Sequence, residues 1–230
     1  MCKTVALGLD NLVSEWVIGF PATSRVFEKN GIDYCCGGAA TLRAACETRG
    51  LDREAVMAEL LALGREPPQR DWSTAALGEL VDHIEKTHHA YLKTELLRIA
   101  RLVHHTREAH GAHYAWLADL QATYDRFAAE MHLHMFKEEQ ILFPRIRQLE
   151  NQITHVNVSI PVTMMEHEHQ RAGADLEKMR TLTGGYVAPA EACTTFRAMV
   201  DALRELETDT HMHVHKENDI LFPRAVAAAR

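Results

Sequence analysis

Apolar residues along this chain recur every three to four positions, and no stretch holds a period-two alternation of strand length. The pattern predicts an all-α protein. Before residue 65 the predicted segments are short. Asp10 and Asn11 can cap a helix running toward Trp16, and Pro21 suits the first turn of a second that stops at Asn30-Gly31. A third follows Gly37-Gly38 and stops at Gly50. Asp52 caps a fourth, Arg53 to Leu63, with Val56, Leu60 and Leu63 on one face. The run Arg65-Glu-Pro-Pro-Gln-Arg-Asp-Trp-Ser73 then interrupts the pattern, because adjacent prolines do not sit in a helix interior. Beyond it come four long amphipathic segments, at about 74–106, 113–149, 160–182 and 189–228. Modest loops between long helices give an up-down-up-down four-helix bundle. The expected organisation is a small helical domain over 1–66, a linker over 67–73 and a bundle over 74–230.

Inside the bundle one sentence is written twice. His134-Met-Phe-Lys-Glu138-Glu-Gln-Ile-Leu-Phe-Pro-Arg145 returns as His213-Val-His-Lys-Glu217-Asn-Asp-Ile-Leu-Phe-Pro-Arg224, displaced by 79 positions from 134 to 213. His89 and His169 are related by a displacement of 80. The bundle therefore reads as two equivalent hairpins facing each other about a pseudo-twofold axis. Pro144 and Pro223 are expected to kink or end their helices. Lys137 and Lys216 read as solvated edge residues.

A formal charge of −7 and the lack of a dense Lys/Arg block argue against nucleic acid as a partner. No run approaches the roughly 20 apolar residues of a membrane-spanning helix, and the first residues carry no secretory leader pattern. The expectation is a soluble cytoplasmic protein. Five cysteines, Cys2, Cys35, Cys36, Cys46 and Cys193, fit reduced thiols better than a disulfide framework. Fifteen histidines change the picture more. Histidine has no special part in building cores or helices, so its enrichment calls for metal binding or proton transfer.

Histidine and glutamate four residues apart differ by about 40° and about 6 Å on a helix, so imidazole and carboxylate leave the same face. One such pair is commonly a solvated ion pair. Two copies in register with the same Ile-Leu-Phe-Pro run point to a pair of metal ions sharing two carboxylates. Mixed imidazole and carboxylate donors suit iron, manganese or zinc, and the duplicated carboxylate favours a two-metal centre, di-iron ahead of di-manganese. A ferritin-like arrangement is a rival: Glu85-x-x-His88 and Glu166-x-x-His169 with Glu138 and Glu217 also supply six ligands. Spacing does not separate His88 from His89.

The His-x3-Glu-Glu-Gln-Ile-Leu-Phe-Pro and His-x3-Glu-Asn-x-x-Leu-Phe-Pro-Arg runs, with Gly31-Ile-Asp-Tyr-Cys-Cys-Gly-Gly38 ahead of them, resemble the di-iron proteins of iron–sulfur cluster repair. These carry a double-cysteine domain followed by a hemerythrin-like bundle, an order that covers nearly the whole chain. The resemblance implies two non-haem irons, oxo- and carboxylate-bridged, with His89, His134, His169 and His213 as ligands and Glu138 and Glu217 as bridges. It also implies His110 as an extra ligand or a donor behind the ligands. Hemerythrins proper place five histidines around the irons; four leave coordination positions open, which favours reactivity or iron release over oxygen storage. The function implied is repair of clusters damaged by oxidative or nitrosative stress, by iron donation, with damaged iron–sulfur proteins as partners. The alternative is a nitric oxide-binding or -reducing protein that takes nitric oxide or oxygen species as small ligands. A homodimer is compatible with either.

Cys35 and Cys36 lack Cys-x-x-Cys spacing, and a bridge between neighbours closes a strained small ring. Such a pair suits redox switching or metal hand-off. Gly37-Gly38 would allow a helix to start there and lower the thiol pKa values, giving reactive thiolates.

Overall fold

The computed structural model describes residues 7–63, 70–150 and 156–229. Pro67, Pro68, Cys2, Asn151 and His155 fall outside these ranges. Four short helices come first: α1 (Val13–Gly19), α2 (Ser24–Lys29) behind a 3-10 turn at Pro21–Thr23, α3 (Leu42–Arg49) and α4 (Arg53–Ala62). The caps explain the boundaries. The Thr41 hydroxyl accepts from Ala44 N, the Asp52 carboxylate accepts from Glu54 N, and Gly50 ends α3 at φ 64°, a conformation that costs glycine little. Phe27, Tyr34, Leu42 and Val56 form their own apolar core, which takes in Val214 from the bundle. The small unit is thus docked on a bundle helix.

Four rods follow. The first is α5 (Leu77–Ile84) joined to α6 (Ala90–His110), and the second is α7 (Trp116–Lys137) joined to α8 (Phe143–Glu150). The third is α9 (Ser159–Leu182), and the fourth is α10 (Thr194–His215) joined to α11 (Phe222–Ala228). Helix α6 packs on α7 and α10, and α7 packs on α9, giving the antiparallel bundle expected. Among the described residues the one β-type pairing is an isolated bridge between Leu12 and Thr41.

Three rods contain a π-helical turn: Glu85–His89, Glu138–Leu142 and Lys216–Leu221. Two of these precede Pro144 and Pro223, where the sequence predicts a kink or an end. The helices do not end there: each runs on past its proline, because the wider turn takes away the close carbonyl that the ring would strike. Each π turn carries one of the residues expected at the metal centre, and such turns concentrate at functional sites. Two apolar layers flank these turns. One holds Leu92, Tyr124, Met131 and Leu203; the other holds Leu80, Phe143, Met165 and Phe222. A polar site lies between them.

Candidate metal centre

Six side chains converge between the layers: His89, His134, Glu138, His169, His213 and Glu217, each 2 % exposed or less. They form two donor groups. His89, Glu138, His213 and Glu217 make one, and His134, Glu138, His169 and Glu217 make the other, so both carboxylates belong to both groups. The Nε2 atoms of His89 and His213 lie 3.2 Å apart, and those of His134 and His169 lie 3.0 Å apart. Cis ligands on a cation with bonds of about 2.1 Å are separated by about 3.0 Å. Glu138 Oε2 is 3.3 Å from Nε2 of both His89 and His134. Glu217 is 3.1 Å from Nε2 of both His169 and His213.

None of the four oxygens of Glu138 and Glu217 has a hydrogen-bond partner, although all are buried. Buried carboxylates left this way cost several kcal/mol each unless a cation meets them. Burial and the charge of Glu217 push the Glu138 carboxyl up, yet the surrounding imidazoles hold it below its ordinary value. Glu217 is opposed by burial too, but His213 and His169 hold it well below the carboxylate range. The two carboxylates are therefore in the charged form that a metal requires, and the residues fit the group.

Behind the donors is a layer that the repeat alone did not reveal. His89 Nδ1 donates to Glu139 at 2.8 Å, and Lys93 braces that carboxylate at 2.6 Å. His134 Nδ1 donates to Glu168 at 3.1 Å, where Lys137 also pairs. His169 Nδ1 donates to the Asn218 side-chain oxygen at 2.8 Å. His213 Nδ1, by contrast, is buried without a partner. Glu139 and Asn218 each directly follow a repeated glutamate, and that position in the two motifs was the available signal.

The structure separates His88 from His89. His88 donates through Nδ1 to Asp209 at 2.8 Å, accepts from Lys216 at 2.8 Å and stacks on His213. Lys216 is not a solvated edge residue. It also donates to His83 at 2.8 Å, and burial lowers its pKa to about 8. Glu85 faces Arg147 at 2.9 Å, and Glu166 lines a groove beside Phe222 and Pro223, so the ferritin-like set does not assemble. His110 requires correction. It ends α6, 21 residues and so about 31 Å along the helix from His89, where it meets Cys193 at 3.3 Å and the Phe196 ring. It can be neither a ligand nor a donor behind one.

The cysteine expectation is also revised. No helix starts at Gly37-Gly38; α3 begins at Leu42. The backbone N–H groups of Cys35, Cys36 and Gly37 instead converge on the Asp33 carboxylate, each at 2.9 Å. A Cβ on Gly38 would meet Tyr34 O at 2.3 Å, which fixes glycine at this tight turn. The Cys35 thiol is not a ready thiolate: the neighbouring Cys36 sulfur, burial and the Asp33 charge push its pKa well up. Both sulfurs are reduced and lie 3.8 Å apart. Neither belongs to the two His/Glu groups. We predict that Cys35→Ser combined with Cys36→Ser leaves the bundle folded and its metal bound, as circular dichroism and metal analysis would report. Loss of metal in this variant would place the thiols in the centre.

Burial alone would lower the His134 pKa, but Glu138 and Glu168 raise it to about 10 in the metal-free protein. Metal binding needs the neutral imidazole, so at pH 7 His134 must release a proton. Affinity for a divalent metal should therefore rise with pH from 6 to 8, with proton release measurable by calorimetry in buffers of different ionisation enthalpy. An affinity that is flat over this range would contradict the assignment.

Fold and donor set define a hemerythrin-like cation-binding bundle. Residues 80–225 match the hemerythrin HHE cation binding domain, and residues 9–64 match a domain of unknown function (DUF542). The chain is 37 % identical over 219 residues to the iron-sulfur cluster repair protein YtfE of Enterobacter sp. (strain 638), covering 95 % of this chain and 97 % of that one. Proteins of the same name from Citrobacter koseri and Escherichia coli O157:H7 are 36 % identical over the same shares of each chain. The chain belongs to this family of iron-sulfur cluster repair proteins, which joins the DUF542 and hemerythrin-like parts. Among the described residues no helix is long and apolar enough to cross a membrane.

Proposed function

We propose that the centre holds two iron ions and that the protein donates iron to clusters damaged by oxidative or nitrosative stress. His89 and His213 hold one ion, His134 and His169 hold the other, and Glu138 and Glu217 bridge them. The observation that carries this reading is the sharing of both carboxylates by two separate imidazole pairs. The relatives' names support cluster repair and do not speak of nitric oxide reduction, so the repair reading stands ahead. The bound metal supplies exchangeable ferrous iron.

The chain's own residues set how firmly the cargo is held. Glu139 and Glu168 orient His89 and His134 through charge-assisted hydrogen bonds, which strengthens those imidazoles as donors. His213 lacks such support. A cavity of about 200 Å³, lined by His134, His169, Lys137 and Glu168, opens from the bundle surface toward one imidazole pair and offers a way out. In this reading the 1–66 unit, joined through the 67–73 segment to the 74–230 bundle, regulates or assists delivery in the cytoplasm. The partner is an iron–sulfur protein with a damaged cluster.

Metal analysis with an optical spectrum tests the assignment. Six ligands of this type should hold about two irons per chain, with near-ultraviolet bridge bands when oxidised. One tightly held zinc and a featureless spectrum would contradict it.

A further inference from the structure

One departure from the repeat lies behind His169, the counterpart of His89. In the first half Lys93 braces Glu139, and Glu139 receives the His89 Nδ1–H. The repeat maps Glu139 onto Asn218, displaced by 79, and Lys93 onto Gly173, displaced by 80 like His89 onto His169. The carboxylate thus becomes an amide and its lysine brace disappears. The space is taken by the double-cysteine loop: a Cβ on Gly173 would lie 3.5 Å from the Cys36 sulfur, so any longer side chain would land on it.

Both cysteines reach the same histidine. Asn218 Nδ2 donates to the Cys35 carbonyl at 3.2 Å while Asn218 Oδ1 accepts from His169 Nδ1 at 2.8 Å. The Cys36 thiol, for its part, donates to the His169 carbonyl at 3.5 Å. Asn218 is suited to this bridge because an amide both donates and accepts, whereas glutamate at Glu139 only accepts.

We propose that Asn218 is a positioning residue that ties His169 to the Cys35–Cys36 peptide, so that closing a disulfide between these cysteines loosens the iron held by His134 and His169. The proposal rests on the two-iron reading above. Closing the bridge requires the sulfurs to move from 3.8 Å to about 2.05 Å. The planar Cys35–Cys36 peptide lies inside the ring that forms, so closing it turns the Cys35 carbonyl from Asn218 and, with it, the Cys36 N–H from Asp33, while the Cys35 and Gly37 N–H bonds to Asp33 hold the loop on either side. Oxidation also removes the S–H that reaches His169. Both ties to this ligand are lost together, while Lys93, Glu139 and His89 are untouched.

The chemistry balances with hydrogen peroxide as oxidant. Two S–H bonds break and one S–S bond forms; the two electrons and two protons reduce the O–O bond to two waters. Oxidants can enter through a cleft of about 350 Å³ lined by Asp33, Cys35, Cys36, Gln170, Gly173 and Arg180.

The test uses the full iron-loaded protein, a ferrous chelator and diamide, whose N=N bond takes the same two electrons and protons to become a hydrazine without attacking iron as peroxide does. Mass analysis establishes the Cys35–Cys36 bridge, and stopped-flow absorbance follows iron release. In the wild type, diamide should speed departure of the first iron at least about tenfold and leave the second unchanged, the size expected for loss of an outer partner. Cys36→Ser should ignore diamide. Asn218→Ala should release the first iron fast in both states. Asn218→Asp still accepts from His169 but gives nothing to Cys35, and should be slow in both. Wild-type release unaffected by a verified bridge, no bridge at all, or Asn218→Ala behaving as wild type would overturn the proposal. Fewer than about two irons before treatment would instead overturn the metal assignment on which it rests.

Discussion

Glu138→Ala and Glu217→Ala should each reduce bound iron by at least about tenfold, because each removes a donor shared by both imidazole pairs. Of the six donors, these two alone belong to both groups. His134→Ala and His213→Ala should cost less, since each belongs to one donor group. Glu85→Ala and Glu166→Ala should leave iron content at the wild-type level, as neither side chain reaches the centre. Glu138→Gln separates binding from folding. It keeps the shape and should leave the metal-free protein folded by circular dichroism while still failing to hold iron. A Glu138→Ala protein that retains both irons would remove the bridging assignment.

Stripping iron from the wild type should lower its thermal midpoint by roughly 8–16 °C. The folded chain binds metal and the unfolded chain does not, so a ligand present at about 1,000 times its dissociation constant stabilises by about 4 kcal/mol. In a chain of this size each kcal/mol moves the midpoint by roughly 2–4 °C. The physical cause is local. Four carboxylate oxygens without hydrogen-bond partners lie buried between the two apolar layers, faced by imidazoles alone, and a bound cation compensates them more fully. Differential scanning calorimetry before and after chelation measures the shift. Glu217→Gln should show a much smaller difference between the two scans; an equal difference would mean that the metal stabilises the fold from somewhere else.

The bundle was legible because its signals are periodic and repeated. Helical spacing marked the rods, and the copied His-x3-Glu pairs brought Glu138 and Glu217 to one level in space. Asp52 and Gly50 set helix ends locally, as their chemistry requires. What failed to show depended on contacts distant in sequence. The π turns leave no periodic mark of their own, so the sequence does not show that the helices continue past Pro144 and Pro223. His88 and His89 are neighbours whose roles are divided by Asp209 and Glu139, contacts made across the bundle. His110 was placed near the centre by resemblance, whereas the length of α6 carries it to the far end. The cysteine loop looked like a helix start because of its glycines; those glycines serve a tight turn around Asp33 instead.

Transfer of isotopically labelled iron tests donation itself. The protein is loaded with iron-57 and mixed, under reducing conditions with sulfide, with an enzyme whose cluster has been broken by peroxide. Mössbauer spectra and activity of that enzyme are then followed together. Label should leave the His/Glu centre, enter a rebuilt cluster and restore activity in proportion, and Glu138→Ala, loaded in the same way, should deliver none. Label that stays in the bundle while the enzyme remains inactive, or recovery that proceeds equally well with Glu138→Ala, would contradict donation from this centre.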